Sequence, residues 1–210
     1  MLASNKKRTE SAEPDSEENG RFMVAGLGNP GRRYRHNRHN LGFMVVDEFA
    51  ARHGIKMSRV QSQALMGSGR IKDRSIIVVK PMTYMNLSGR AVGTVSRYYR
   101  ILLDNLIVVY DEIDLPFGVI RIRASGGSGG HNGMNSIINE LGSDFPRIRL
   151  GVDRPTGRME PADYVLQNFS KAEEKEVEGV LDRAVDALDL YIMDGVNAAM
   201  NRFNQNPENE

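Results

Sequence analysis

Two short, unbroken apolar runs, Ser75–Lys80 (SIIVVK) and Leu106–Tyr110 (LIVVY), constrain the fold more than anything else in this chain. A strand that is apolar along its length has both faces buried, so it belongs in the middle of a covered sheet. Phe22–Leu27 reads the same way and stops at a turn signal, Gly28-Asn29-Pro30-Gly31. Val119–Arg123 and Ile148–Val152 alternate, which predicts strands with one wetter face. Helical spacing intervenes at Leu41–His53, Leu87–Tyr99 and Gly133–Leu141. A last helix carries Val177, Val180, Leu181, Ala184, Leu188, Tyr191 and Ile192 on one stripe, and Ser170 with Glu173 spells a capping box at its start. This alternation predicts one α/β domain over residues 21–205, with a mixed, mostly parallel sheet and helices on both faces.

Sheets of this kind bind ligands beyond the carboxyl ends of their strands. The polar segments expected there are Gly28–Asn40, Pro81–Asn86, Asp111–Pro116 and Ala124–Asn132, and nearly every chemically interesting residue falls in them. Residues 1–20 hold three basic and five acidic groups and no apolar stretch, so they read as a disordered polar leader rather than a targeting signal. Residues 206–210 read as a polar tail. No apolar run approaches the roughly 20 residues that span a bilayer. The 210 residues include no cysteine, which excludes disulfides, thiolate metal sites and a cysteine nucleophile. It also fits a reducing compartment.

The formal net charge of +1 conceals a division: residues 21–170 carry +9 and residues 171–194 carry −5. A basic body with an acidic last helix suggests one face for a polyanion, although a merely Arg-rich solvated surface gives the same count.

Two motif matches fail on context. Gly26 to Gly31 satisfies G-x-G-x-x-G after a strand, but Pro30 biases Asn29 away from helical angles and no helix follows until near Asn40. Gly126-Gly127-Ser128-Gly129-Gly130 satisfies G-x-S-x-G, yet no histidine follows a downstream acid, so the nucleophile reading of Ser128 is weak.

The stronger candidates are His39, held beside the start of a helix, and Asp111, at the end of the Leu106–Tyr110 strand. A carboxylate there is partly buried and needs a partner such as an imidazole N–H. Asp114, in the same segment, fits turn chemistry. His36 reads as solvent-facing and His53 as structural or exposed. Asn29, Asn86 and Asn132 sit in the other three segments and offer uncharged donors and acceptors suited to an acyl substrate. Each alone also fits a cap or a turn.

Taken in order, these segments resemble the bacterial-type peptidyl-tRNA hydrolases. The resemblance rests on Gly26 to Gly31, on Tyr34-Arg35-His36-Asn37-Arg38-His39-Asn40-Leu41-Gly42, on Pro81 to Gly89 (PMTYMNLSG), on Tyr110 to Pro116 (YDEIDLP) and on Gly126 to Gly133 (GGSGGHNG). It runs from about Phe22 to Phe203. Departures are mild: Asn37 stands where threonine is common, Tyr84 where phenylalanine is common, and Arg121 and Arg123 where lysines are frequent.

The resemblance implies that His39 is the catalytic base and Asp111 its supporting acid. It implies that Asn29 tells blocked from free aminoacyl ends, and that Tyr34, Tyr84, Asn86 and Asn132 contact the tRNA or the peptide. It further implies an ester hydrolase without metal or cofactor, acting on peptidyl-tRNA in the cytoplasm as a monomer. A non-catalytic RNA-binding relative, of the intron-splicing type, is the alternative; the presence of His39, Asp111 and all three asparagines argues against it.

Overall fold

The computed structural model describes residues 20–205, so the leader and tail expectations lie outside it except at Gly20. Seven strands form one mixed sheet: β1 (Arg21–Gly26), β2 (Arg59–Gln61), β3 (Ala64–Ile71), β4 (Arg74–Pro81), β5 (Leu106–Glu112), β6 (Ile120–Arg123) and β7 (Arg147–Gly151). Their spatial order is β2-β3-β4-β1-β5-β7-β6. The four inner strands β4, β1, β5 and β7 run parallel, while β3 and β6 flank them antiparallel. The expected mixed, mostly parallel α/β sheet is the one observed.

Alternate side chains of one strand feed two separate cores. Phe22 and Val24 of β1 pack with α1 (Leu41–Arg52) and α5 (Lys171–Phe203) on one face. Met23 and Ala25 pack on the other face with α2 (Ser88–Tyr98) and α3 (Asn132–Leu141). The middles of central strands must therefore be apolar on both faces, as Ile76–Val79 of β4 and Leu106–Tyr110 of β5 are. The capping box forms in full: Glu173 N–H donates to Ser170 Oγ, and Ser170 N–H donates to the Glu173 carboxylate.

Two elements depart from expectation. The β2–β3 hairpin has no strong strand signal because Gly67 and Gly69 replace branched residues; a Cβ at either would sit 2.8 or 2.7 Å from the Ile55 side chain. The short α4 (Pro161–Val165) has too few turns to show a helical period.

Helix α5 is interrupted at Gly195, whose φ of 86° suits only a residue without a side chain. Beyond that break, Asn204 docks on the outer strand β6. Its Oδ1 accepts from Ile122 N–H at 2.7 Å and its Nδ2 donates to the Ile122 carbonyl at 2.9 Å, so one side chain pairs with the sheet edge as a neighbouring strand would.

Candidate active site

The chain leaves β1, β4 and β5 at the same end of the sheet, and the loops there enclose an open groove of about 760 Å³. Asn29, His39, Tyr84, Asn86, Asp111 and Asn132 all line it. Six of the seven residues singled out from the sequence are thus brought together. Tyr34 is not among the lining residues; its ring instead lies under the Arg33 guanidinium, 4.4 Å away.

His39 reaches the groove because α1 starts unusually close to the sheet. A Cβ on Gly42 would fall 2.5 Å from Leu27 N and 2.7 Å from Leu27 O, with the Val109 carbonyl oxygen closer still. Only glycine lets the helix sit there. His39 lies in the 3-10 turn Arg38–Asn40 just ahead of the helix. Its Nδ1 lies 3.0 Å from both Asp111 oxygens. Asp111 falls within β5 rather than after it, so a central strand sets its position. An ionised carboxylate only accepts, so Nδ1 carries the proton and Nε2 keeps its lone pair.

The sequence did not single out His131 as a partner of Asp111. Its Nε2 lies 3.2 Å from Asp111 Oδ1, and its ring centroid is 4.8 Å from that of His39. His131 is the N-cap of α3, and its Nδ1 accepts from Met134 N–H at 3.2 Å. That bond needs a lone pair on Nδ1, so Nε2 carries the proton and donates to Asp111. Its place just ahead of Asn132 and the helix was the available signal.

Burial alone would push the Asp111 carboxyl up, yet the two imidazoles outweigh it and hold the group well below the usual carboxylate range. Burial would likewise lower His39, but the charge and hydrogen bond of Asp111 prevail and raise it above 6.5. His39, Asp111 and His131 have one potential ligand atom each within 4.8 Å of the others, a set that could surround a metal ion. The nitrogens that face Asp111, His39 Nδ1 and His131 Nε2, are engaged with it and carry protons that a metal bound there would have to displace.

The asparagines are oriented by the main chain. Asn29 Oδ1 accepts from Met85 N–H at 2.9 Å, which leaves its Nδ2 for the groove. Asn40, whose side chain does not cap α1, exchanges two hydrogen bonds with the Asn29 backbone at 2.8 and 2.9 Å. Asn86 stands in a 3-10 turn and Asn132 opens α3. Pro161, Ala162, Val165 and Leu166 add an apolar wall to the groove lining. Arg147, buried at 1% exposure, donates to the carbonyls of Gly126, Gly127, Ser143 and Phe145 and so pins the start of the glycine loop. Ser128 does not line the groove; its Oγ accepts from Gly130 N–H. His53 bonds Asp189 at 2.8 Å and is structural.

A histidine held beside a buried carboxylate in an amide-lined groove is the arrangement that general-base attack of water on an acyl carbonyl requires, and it points to the hydrolases as a class. The family model described as "Peptidyl-tRNA hydrolase" matches residues 23–210. A peptidyl-tRNA hydrolase from Syntrophomonas wolfei is 46% identical over 183 residues, covering 87% of this chain and 99% of that one. One from Mycobacterium bovis is 47% identical over 183 residues, covering 86% and 96%. The crystal structure of peptidyl-tRNA hydrolase from Acinetobacter baumannii superposes with a TM-score of 0.83 at 34% identity, covering 88% of this chain and 95% of that one. This chain belongs to the peptidyl-tRNA hydrolase family. Among the described residues, no helix is long and apolar enough to cross a membrane.

Proposed function

We propose that this protein hydrolyses the ester between a peptide and the 3′ ribose of tRNA, with His39 as general base. The observation that carries this reading is the His39–Asp111 pair at 3.0 Å, facing a groove lined by three asparagines. Neutral His39 takes a proton at Nε2 from a water attacking the carbonyl, a contribution of typically 10²–10⁴-fold. Asp111 holds the tautomer and stabilises the imidazolium that forms. Asn86 or Asn132 donates to the developing oxyanion, where one such donor is worth about 3 kcal/mol. An ester activated in this way requires neither a metal nor a covalent intermediate.

Asn29 presents N–H groups to the groove. These suit the carbonyl of a blocked amino acid and repel the ammonium of a free one. Tyr84, 62% exposed at the rim, is available to stack on an unpaired 3′ base. Arg123, exposed at a side cavity of about 230 Å³, supports phosphate contacts. Action as a monomer in the cytoplasm, as the family resemblance implies, is part of this proposal. Turnover of N-acetyl-aminoacyl-tRNA by the pure protein tests the activity. His39→Ala at near wild-type rate would overturn the base assignment.

A further inference from the structure

The residue just before the proposed base has a buried charge that plays no part in the chemistry. Arg38 Nη2 donates to both oxygens of Glu173 at 2.8 Å, and its Nη1 donates to the Asn168 carbonyl at 2.6 Å. The guanidinium lies 4.4 Å from the Tyr164 ring centroid and 5.3 Å from that of Phe169. The side chains of Arg38 and Glu173 are 7% and 20% exposed, so the arginine is buried and its partner reaches the surface. The main chain continues the seam: Arg38 N–H donates to Gln167 O at 3.1 Å, and Asn37 Nδ2 donates to Leu166 O at 2.6 Å.

Every one of these partners lies between Tyr164 and Glu173, a stretch that includes Val165 and Leu166 of the apolar groove wall and follows directly on Pro161 and Ala162. Glu173 is also the third residue of α5 and accepts from Ser170 N–H at 2.6 Å, which ties the seam to a long helix. Burial would raise its carboxyl, but the Ser170 and Arg38 hydrogen bonds hold it below the ordinary value. An ion pair of this kind is weak support for stability; its hydrogen bonds nonetheless fix how the two segments sit against each other. The wall segment and the His39 loop are thus joined by both side-chain and main-chain hydrogen bonds.

We propose that Arg38 and Glu173 are positioning residues that couple the peptide-facing wall to His39, so that contacts made by the peptide upstream of the ester hold the base in register. The inference rests on the reading of the groove as the peptidyl-tRNA site. A groove of about 760 Å³ has room for several residues, so a single acetylated amino acid leaves much of the wall uncovered. Binding energy at the wall then appears in kcat rather than only in KM.

The test compares N-acetyl-aminoacyl-tRNA with a tRNA carrying a tetrapeptide of the same C-terminal residue. Wild type should show a higher kcat on the tetrapeptide substrate. In Glu173→Gln and Arg38→Lys, kcat on that substrate should fall by roughly ten- to a hundredfold, and the advantage of length should vanish with little change in KM. Ser170→Ala removes a cap from the same helix end but leaves the Arg38–Glu173 pair, so it should lower Tm and retain the length advantage. Should Glu173→Gln fail to fold, Arg38→Lys carries the comparison. Equal length dependence in Ser170→Ala, Arg38→Lys and wild type overturns the coupling, as does a wild type indifferent to length; in both cases the hydrolase reading survives. No turnover of either substrate by wild type removes that reading and the coupling with it.

Discussion

Replacing Gly42 by alanine tests the packing that delivers His39 to Asp111. The new methyl carbon would start 2.5 Å from Leu27 N and nearer to the Val109 carbonyl. Carbon tolerates such neighbours only at about 3.5 Å, so α1 must retreat by roughly 1 Å. The obstacles are main-chain atoms, of Val109 in β5 and of Leu27 just past β1, and none can rotate aside. His39 sits at the start of that helix, so its 3.0 Å bond to Asp111 stretches out of hydrogen-bonding range. A misplacement of about 1 Å costs on the order of 100-fold in kcat. Overpacking costs about 1–3 kcal/mol of stability, a drop of roughly 2–12 °C in Tm for a chain of this size. The assay is single-turnover release of labelled N-acetyl-amino acid from tRNA, paired with thermal unfolding. Gly69→Ala is the control, because its methyl would meet Ile55 at 2.7 Å, far from the groove. It should lose stability and keep its rate. A Gly42→Ala protein that melts early yet cleaves at the wild-type rate would refute the reasoning.

Neutral His39 is the active form, so wild-type kcat/KM should rise with pH through a midpoint above 6.5, lifted there by Asp111 against the pull of burial. Asp111→Asn leaves burial unopposed: the midpoint should drop below 6.5 and the rate by about 10³–10⁴-fold, read from a pH–rate profile. Linkage has the opposite sense for stability. The His39 contribution is fully present below 6.5 and fades as pH rises through its folded value, and that of Asp111 is present above 3.8 and fades as pH falls. Asn29→Asp should raise cleavage of free aminoacyl-tRNA relative to the acetylated form by roughly tenfold, since a carboxylate attracts the ammonium; an unchanged ratio assigns discrimination elsewhere. Substrate binding should weaken steeply with salt, and Arg123→Gln should reduce the slope by about 1. Exhaustive chelation should leave turnover intact; a loss restored by a divalent cation would make the His39–Asp111–His131 cluster a metal site.

The parallel sheet was legible because β4 and β5 must be apolar on both faces. His39 and Asp111 were legible because each stands at the end of a strongly patterned element. What stayed hidden had a local cause. Gly67 and Gly69 make room for Ile55 and erase the strand signal of β3. His131 shares Asp111 with His39 across a separation in sequence that no spacing rule connects. The wall from Pro161 to Leu166 is a short helix held by the Arg38 seam and by a Tyr164 hydroxyl bond to the Val152 carbonyl, contacts that leave no periodic mark. Tyr34, expected at the substrate from resemblance, pairs with Arg33 outside the groove lining.

Asn204 gives the far end of the molecule a protective duty. Strand β6 is outermost in the sheet, and open backbone there invites pairing with another chain. A lone amide side chain, delivered by the break at Gly195, occupies the free N–H and C=O of Ile122. Trimming the chain ahead of Asn204 would spare every groove residue and still expose an adhesive strand. The first symptom of such a deletion should be self-association, not lost catalysis.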